Sequence, residues 1–265
     1  MSAALLKYTA RKNWVMLLIF FGVLTMYLTI MISMYDPEDM ESITSMLELF
    51  PEDLMQAMGF SQLVTDLTSY LASWLYGLLM FAFPMVYCII LSNRLVAKKV
   101  DNGSFACFLA TPVSRVRVIM TLGTYALLSV FVLFAGLFGV GVAFSEIMHP
   151  GLLEIDRFLM LNITVMLVNM AVVMIGFFFS CMFNDSSLAT GFGAGIPIGF
   201  LLMNMLGGVS DDLEIIKKLS LYGWFDPVEL VRDSGFPLIG LVYAGIALVL
   251  LASAVIIFRR RRLPL

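Results

Sequence analysis

The chain has 265 residues, 61% hydrophobic and 13% charged, with a formal net charge of −3 and a mean hydropathy of +0.97. Soluble domains average about 45–50% apolar and about 25% charged residues, so these proportions exclude an ordinary soluble domain and leave an integral membrane protein. Cys88, Cys107 and Cys181 form no CxxC pair and imply no disulfide framework; they read as small buried hydrophobes.

Charged residues divide the chain into six long charge-free runs, 13–35, 67–93, 118–145, 158–184, 186–210 and 234–258. Each exceeds the roughly 20 residues that a helix needs to cross a hydrocarbon core of about 30 Å. Six spans place both termini on one side. Lys7, Arg11, Lys12, Arg94, Lys98, Lys99, Arg115, Arg117 and Arg259 to Arg262 fall on that side, against only Asp101 and Asp185. The other side holds Arg157, Lys217, Lys218 and Arg232 with every remaining acid. The excess of Lys and Arg in cytosolic loops therefore predicts cytosolic termini, a cytosolic segment 94–117, and outer loops at 36–66, 146–157 and 211–233. The expected fold is an all-α polytopic membrane protein with six transmembrane helices in a single domain, 1–265.

The N-terminus, MSAALLKYTARKNW, is short, basic and mildly amphipathic. The apolar run after it is too long for a signal peptide and lacks a small-x-small cleavage site. It reads as an interfacial lead-in to a retained first span, with Trp14 at headgroup depth. The loop from Asp36 to Asp66 is acidic, and Met40, Ile43, Leu47 and Leu54 keep near-helical spacing around Pro51. One or two short surface helices with a solvated acidic face are expected there.

Pro84 lies inside the second span and predicts a kink. Gly136, Gly139 and Gly141 lie in the third, and the turn after it carries the only histidine, His149, a poor catalytic candidate. Asn162 and Asn169 are seven residues apart on the fourth span, near one face; they line a polar path or hydrogen-bond a neighbouring helix. In the fifth span Gly191, Gly195 and Gly199 recur at four-residue intervals, a ridge that lets another helix approach closely, within the subunit or between two subunits. Gly207 to Pro237 mixes Leu219, Leu221, Tyr222, Trp224, Phe225 and Leu230 with Asp and Lys. A helical hairpin dipping partly into the membrane fits that pattern. Arg259 to Arg262 close the last span as a topological anchor, or as a binder of anionic lipid.

The chain contains no GxxxxGK[ST] loop, no HExxH, no GxSxG and no Cys/His cluster. No Asp, Glu, Lys, Arg or His lies deep in a span, where an ion-coupled carrier needs a titrating group. A membrane-embedded enzyme and a self-powered carrier are both disfavoured, and no cofactor or metal is expected in this chain.

The segment Lys98 to Arg117, KKVDNGSFACFLATPVSRVR, stands apart from the spans. Asp101, Asn102 and Ser104 offer oxygens suited to a helix start. Phe105, Phe108 and Leu109 then form an i, i+3, i+4 stripe, and Thr111-Pro112 stops the helix. Ser114 can cap the next one, with Arg115 and Arg117 at the membrane edge. The stripe predicts a short surface helix that rests in the lipid interface or in a groove on a soluble partner.

The run VDNGSFACFLATPVSR (100–115) resembles the loop between the second and third spans of ABC transporter permeases of the type-2 exporter (ABC-2) family. There an acidic residue, a Gly-Ser/Thr pair, an apolar helix and a Pro-x-Ser-Arg run recur in this order. Six spans, a cytosolic lead-in, a large first outer loop, a long outer hairpin and the basic tail FRRRRLPL (258–265) agree with small bacterial members. Many members carry a glutamate about four residues before the glycine, where Lys99 stands here.

The resemblance implies a permease subunit in the plasma membrane, paired with a second copy or a related subunit. Each would be bound to a separate cytosolic ATP-binding cassette protein that holds ATP and magnesium. It further implies that Asp101, Gly103, Ser104, Phe105, Phe108, Leu109, Pro112 and Arg115 contact that protein as a coupling helix, joined by Lys7 to Lys12. The first and fifth spans would form the subunit seam, and the second and fifth would flank the substrate path. Drugs, antimicrobial peptides or lipids are the expected cargo classes. The competing reading is a membrane scaffold or immunity protein that binds a partner or toxin through its outer loops, without ATP coupling.

Overall fold

The computed structural model describes residues 2–36, 66–105, 113–207, 214–224, 226–232 and 238–261. Among them, six helices are long and apolar enough to cross a membrane. The expected acidic loop falls almost entirely outside the described residues, as do Cys107, Phe108, Leu109 and Pro112.

The first span is one helix, Ala3–Met34, started by Ser2, whose hydroxyl accepts the Leu5 N–H at 3.5 Å. At 1.5 Å per residue it is about 48 Å long. The lead-in is thus continuous with the span and not a separate interfacial helix: nothing between Lys7 and Trp14 breaks helical hydrogen bonding, and Thr9 and Asn13 turn inward as buried polar residues. Trp14 points outward, 55% exposed.

The second span is broken. It opens as Leu67–Trp74, capped by Asp66, whose carboxylate accepts the Ser69 N–H at 3.1 Å and its hydroxyl at 2.6 Å. It resumes as Leu79–Leu95 after a loosened stretch in which Tyr76 and Met80 reach back five residues, to Leu71 and Leu75, for their acceptors. A short helix, Ala97–Asp101, follows. The third span, Arg115–Met148, starts at Ser114, which accepts the Arg117 N–H at 3.3 Å as its sequence position predicts. The fourth, fifth and sixth are Ile155–Met182, Ser186–Gly207 and Leu238–Arg260.

The fourth span is the central pillar. It packs against the second, third, fifth and sixth, and 67% of its apolar window is buried, against 17% for the first and fifth spans.

In the segment expected as an outer hairpin, the structure describes Glu214–Leu219, which packs on the fifth span, the 3-10 turn Leu221–Trp224, and Pro227–Arg232, which packs on Leu67–Trp74 and the fourth span. The 3-10 turn enters the bundle. The Tyr222 ring meets Phe81 edge-on at 5.2 Å, Trp224 stacks on Tyr243 at 5.7 Å, and the Tyr243 hydroxyl donates to the Leu221 carbonyl at 2.7 Å. His149 belongs to the structure of the same end, with Nε2 3.0 Å from the Ile32 carbonyl and its ring against Tyr35.

Candidate functional site

Ser2 and Arg261, the first and last described residues, lie at one end of the bundle. There the Ser2 N–H donates to Thr121 Oγ1 at 3.0 Å, and Arg115 Nη1 donates to the Arg261 carbonyl at 3.1 Å. The described parts of the segment singled out in the sequence, 98–105 and 113–117, lie at this end; the helix expected from its spacing falls, after Phe105, outside the described residues. Asp101 closes the helix Ala97–Asp101, and Asn102 is its C-cap. Gly103 then turns the chain at φ +70°, a left-handed value that side chains with a Cβ rarely adopt. Asn102 Oδ1 accepts the Ser104 N–H at 3.1 Å and its hydroxyl at 2.6 Å, and the Phe105 N–H returns to the Lys99 carbonyl at 2.8 Å. The oxygens expected to start a helix here finish one.

Phe105 is 2% exposed and packs on Phe258 of the sixth span at 5.1 Å. Within this chain its ring is therefore covered, where the expected stripe had it exposed. Asp101 is half of a cross-bundle contact: the Ser186 hydroxyl donates to its Oδ2 at 2.7 Å. Arg115 caps the backbone of Arg261, whose own guanidinium donates to the Cys181 carbonyl at 2.6 Å and to Asn184 Oδ1 at 2.8 Å. The carbonyl of Cys181 is one of the last of the fourth span, where intrahelical donors run out, and a cation at a helix C-terminus also suits the helix dipole. Lys99 lies beside Lys12 and Arg94. Burial, reinforced by those two charges, pushes its ammonium down to about 8.

Asn162 and Asn169 do not line an open path here; both are buried against the broken second span. Asn162 Nδ2 donates to the Tyr76 hydroxyl at 3.0 Å, inside the break. Asn169 Nδ2 donates to the Val165 carbonyl at 3.0 Å and, more weakly, to the Met80 carbonyl at 3.4 Å. Residue 84 would supply the helical donor for Met80, and it is proline, which has none. Asn169 takes that place. Of the two readings of these amides, the helix contact is the one the geometry contains.

Gly191, Gly195 and Gly199 have nothing within 4 Å of where a Cβ would stand. Among the described residues the ridge makes no close contact. The close approach is made by two other glycines. A Cβ on Gly176 of the fourth span would collide with the Ser92 hydroxyl and come within 2.9 Å of Ser92 Cβ, and one on Gly193 would lie 3.1 Å from Gly176 Cα. Neither belongs to a repeated GxxxG, so no local signal singles them out.

No group of three or more His, Cys, Asp or Glu side chains is arranged to hold a metal among the described residues. The family model described as ABC-2 family transporter protein matches residues 6–261. The chain belongs to that family. No curated protein matches it. The match spans all six spans and both loops at the termini-bearing end, so the ABC-2 permease is read across the whole bundle.

Proposed function

We propose that this ABC-2 family member is the permease subunit of an ATP-driven exporter, with both termini and segment 94–117 in the cytosol of a bacterial cell. A separate ATP-binding cassette protein would dock on that face and hold ATP and magnesium. The observation that carries the reading is the family match from residue 6 to 261 in a chain that has six spans and no phosphate-binding loop of its own. The energy source then has to be another polypeptide.

Segment 98–117 is the proposed docking element. Phe108, Leu109 and Pro112 remain its candidate apolar contacts, with Gly103 and Ser104 at the exposed turn before them. Arg115 and Asp101 set its two ends against the bundle. The glycine ridge 191–199 is the proposed subunit seam, because the fifth span leaves it open and buries little of its own surface. A homodimer with two cassette proteins follows. Asn162 and Asn169 enter a transport path only in a state in which the second and fourth spans separate.

Affinity purification in mild detergent from the native cell tests the reading. The expected result is a stoichiometric soluble protein bearing a GxxxxGK[ST] loop, released by Leu109→Asp while the variant still inserts and folds. Recovery of the intact chain without such a protein contradicts it and favours a scaffold or immunity role exerted through the outer loops.

A further inference from the structure

The turn between the fourth and fifth spans is held from two sides by residues far away in sequence. On one side Asp101, the last residue of the helix that follows the second span, accepts the hydroxyl of Ser186, the first residue of the fifth span. On the other, Arg261 at the end of the sixth span donates to Asn184 Oδ1 and to the Cys181 carbonyl, while Arg115 holds the Arg261 backbone. Within the turn, Asp185 Oδ1 accepts the Ser187 N–H at 2.6 Å and the Asp185 carbonyl accepts Ala189 N–H at 3.1 Å. The turn is thus a rigid cap on the fifth span and not a slack connection.

Further along, the fifth span is loosely held, with only 17% of its apolar window buried. Its packed contacts run along one side, at Ala189, Gly193, Pro197 and Leu201. A force on the helix Ala97–Asp101 therefore has two routes into the spans. One runs along the covalent chain into the second and third. The other crosses from a carboxylate to a hydroxyl into the first residue of the fifth. The carboxylate also sits at the positive end of the fifth span's dipole, which strengthens its hold on that helix start.

We infer that Asp101 and Ser186 are a positioning pair that carries displacement of segment 97–105 into the fifth span, with Arg261 holding the turn so that the displacement is not absorbed there. The inference rests on the exporter reading for the source of the displacement; the joint itself does not. A hydroxyl donating to a carboxylate is short and directional. It is lost when either partner is removed and kept when the hydroxyl is retained.

Two measurements test it. In nanodiscs, with the chain alone, amide exchange of Thr190 to Gly193 should rise about tenfold in Asp101→Ala and Ser186→Ala, stay at the wild-type value in Ser186→Thr, and rise no further in the double variant. Unchanged exchange in the single variants overturns the joint. With the copurified ATP-binding protein present, spin labels at Leu128 of the third span and Leu202 of the fifth, both exposed, should change separation on ATP addition. That change should occur in wild type and Ser186→Thr, and disappear in Ser186→Ala while the ATP-binding protein stays bound. A full change in Ser186→Ala, or none in wild type with the partner bound, overturns the relay. If no ATP-binding protein is recovered, the exporter reading fails and the exchange arm still decides the joint.

Discussion

The two faces of the fifth span are built from the same residue type to opposite ends. Gly193 faces inward, where a Cβ would press on Gly176 Cα of the fourth span at 3.1 Å, and Gly176 itself is held free of a Cβ by Ser92 of the second span. Gly191 and Gly195 lie two residues to either side of it and Gly199 six residues on, roughly 160–240° around the helix, and among the described residues they meet nothing within 4 Å of a Cβ. Glycine on the inner face is required by packing already made. On the outer face it keeps a surface smooth that this chain alone does not use. The contrast separates residues that hold the subunit together from residues that await a neighbour.

The largest effect is expected on the inner face. Gly176→Leu should cost about 3 kcal/mol, because the added side chain runs into Ser92, whose Cβ would lie 2.9 Å from the new Cβ and cannot rotate away. Loss of folded chain in detergent, read by fluorescence size exclusion, checks it. A well-folded Gly176→Leu would remove the helix contact from the core of the fold. Gly195→Leu sharpens the comparison from the other side. Its expected cost to the isolated subunit is below about 0.5 kcal/mol, yet it should convert the dimer to monomer in native gels. An unchanged dimer would mean that the ridge faces lipid.

Smaller effects belong to the contact between the second and fourth spans. Asn169→Leu should destabilise by about 1 kcal/mol, the scale of an interhelical hydrogen bond in a membrane. Pro84→Ala restores an N–H at the position that serves the Met80 carbonyl. The same Asn169→Leu change should then cost less in that background, as a double-mutant cycle in thermal unfolding would show. Equal costs in both backgrounds would detach Asn169 from the missing proline donor.

The smallest effect concerns Lys99. Its ammonium titrates near 8 in the folded chain, below the ordinary 10.5, so the unfolded chain binds the extra proton between those values. Folded stability therefore rises with pH from about 8 to 10.5, and the burden of the buried charge is complete below 8. Lys99→Met should raise the unfolding midpoint by about 3 °C at pH 7, an advantage that shrinks as the pH passes 8 toward 10. A gain independent of pH would locate its cause elsewhere.

Much of the architecture was legible from charge alone. Charge-free runs predicted six spans, and five of the six correspond to continuous helices that extend past the runs or end within a few residues of them. Ser114 was readable as a cap because capping is a local property of one side chain and the next turn. The break at 75–78 was not, since Pro84 lies well beyond it and Gly77, its one local mark, is a residue type that membrane helices commonly carry. Phe105 illustrates a different limit. Its spacing with Phe108 and Leu109 fits a surface stripe, but spacing cannot reveal that Phe258, 153 residues later, covers the ring. Asp101 with Ser186 and Met80 with Asn169 are joined across 85 and 89 residues. Each residue was visible in the sequence, and each pairing needed the fold.

The central claim is that the termini-bearing face of this bundle is driven by an ATP-binding cassette protein. Native mass spectrometry of the complex purified from its own cell tests it most directly. The account predicts an assembly of two copies of this chain with two copies of a soluble protein that binds ATP. Two copies of this chain alone, folded and free of any ATP-binding subunit, would contradict it.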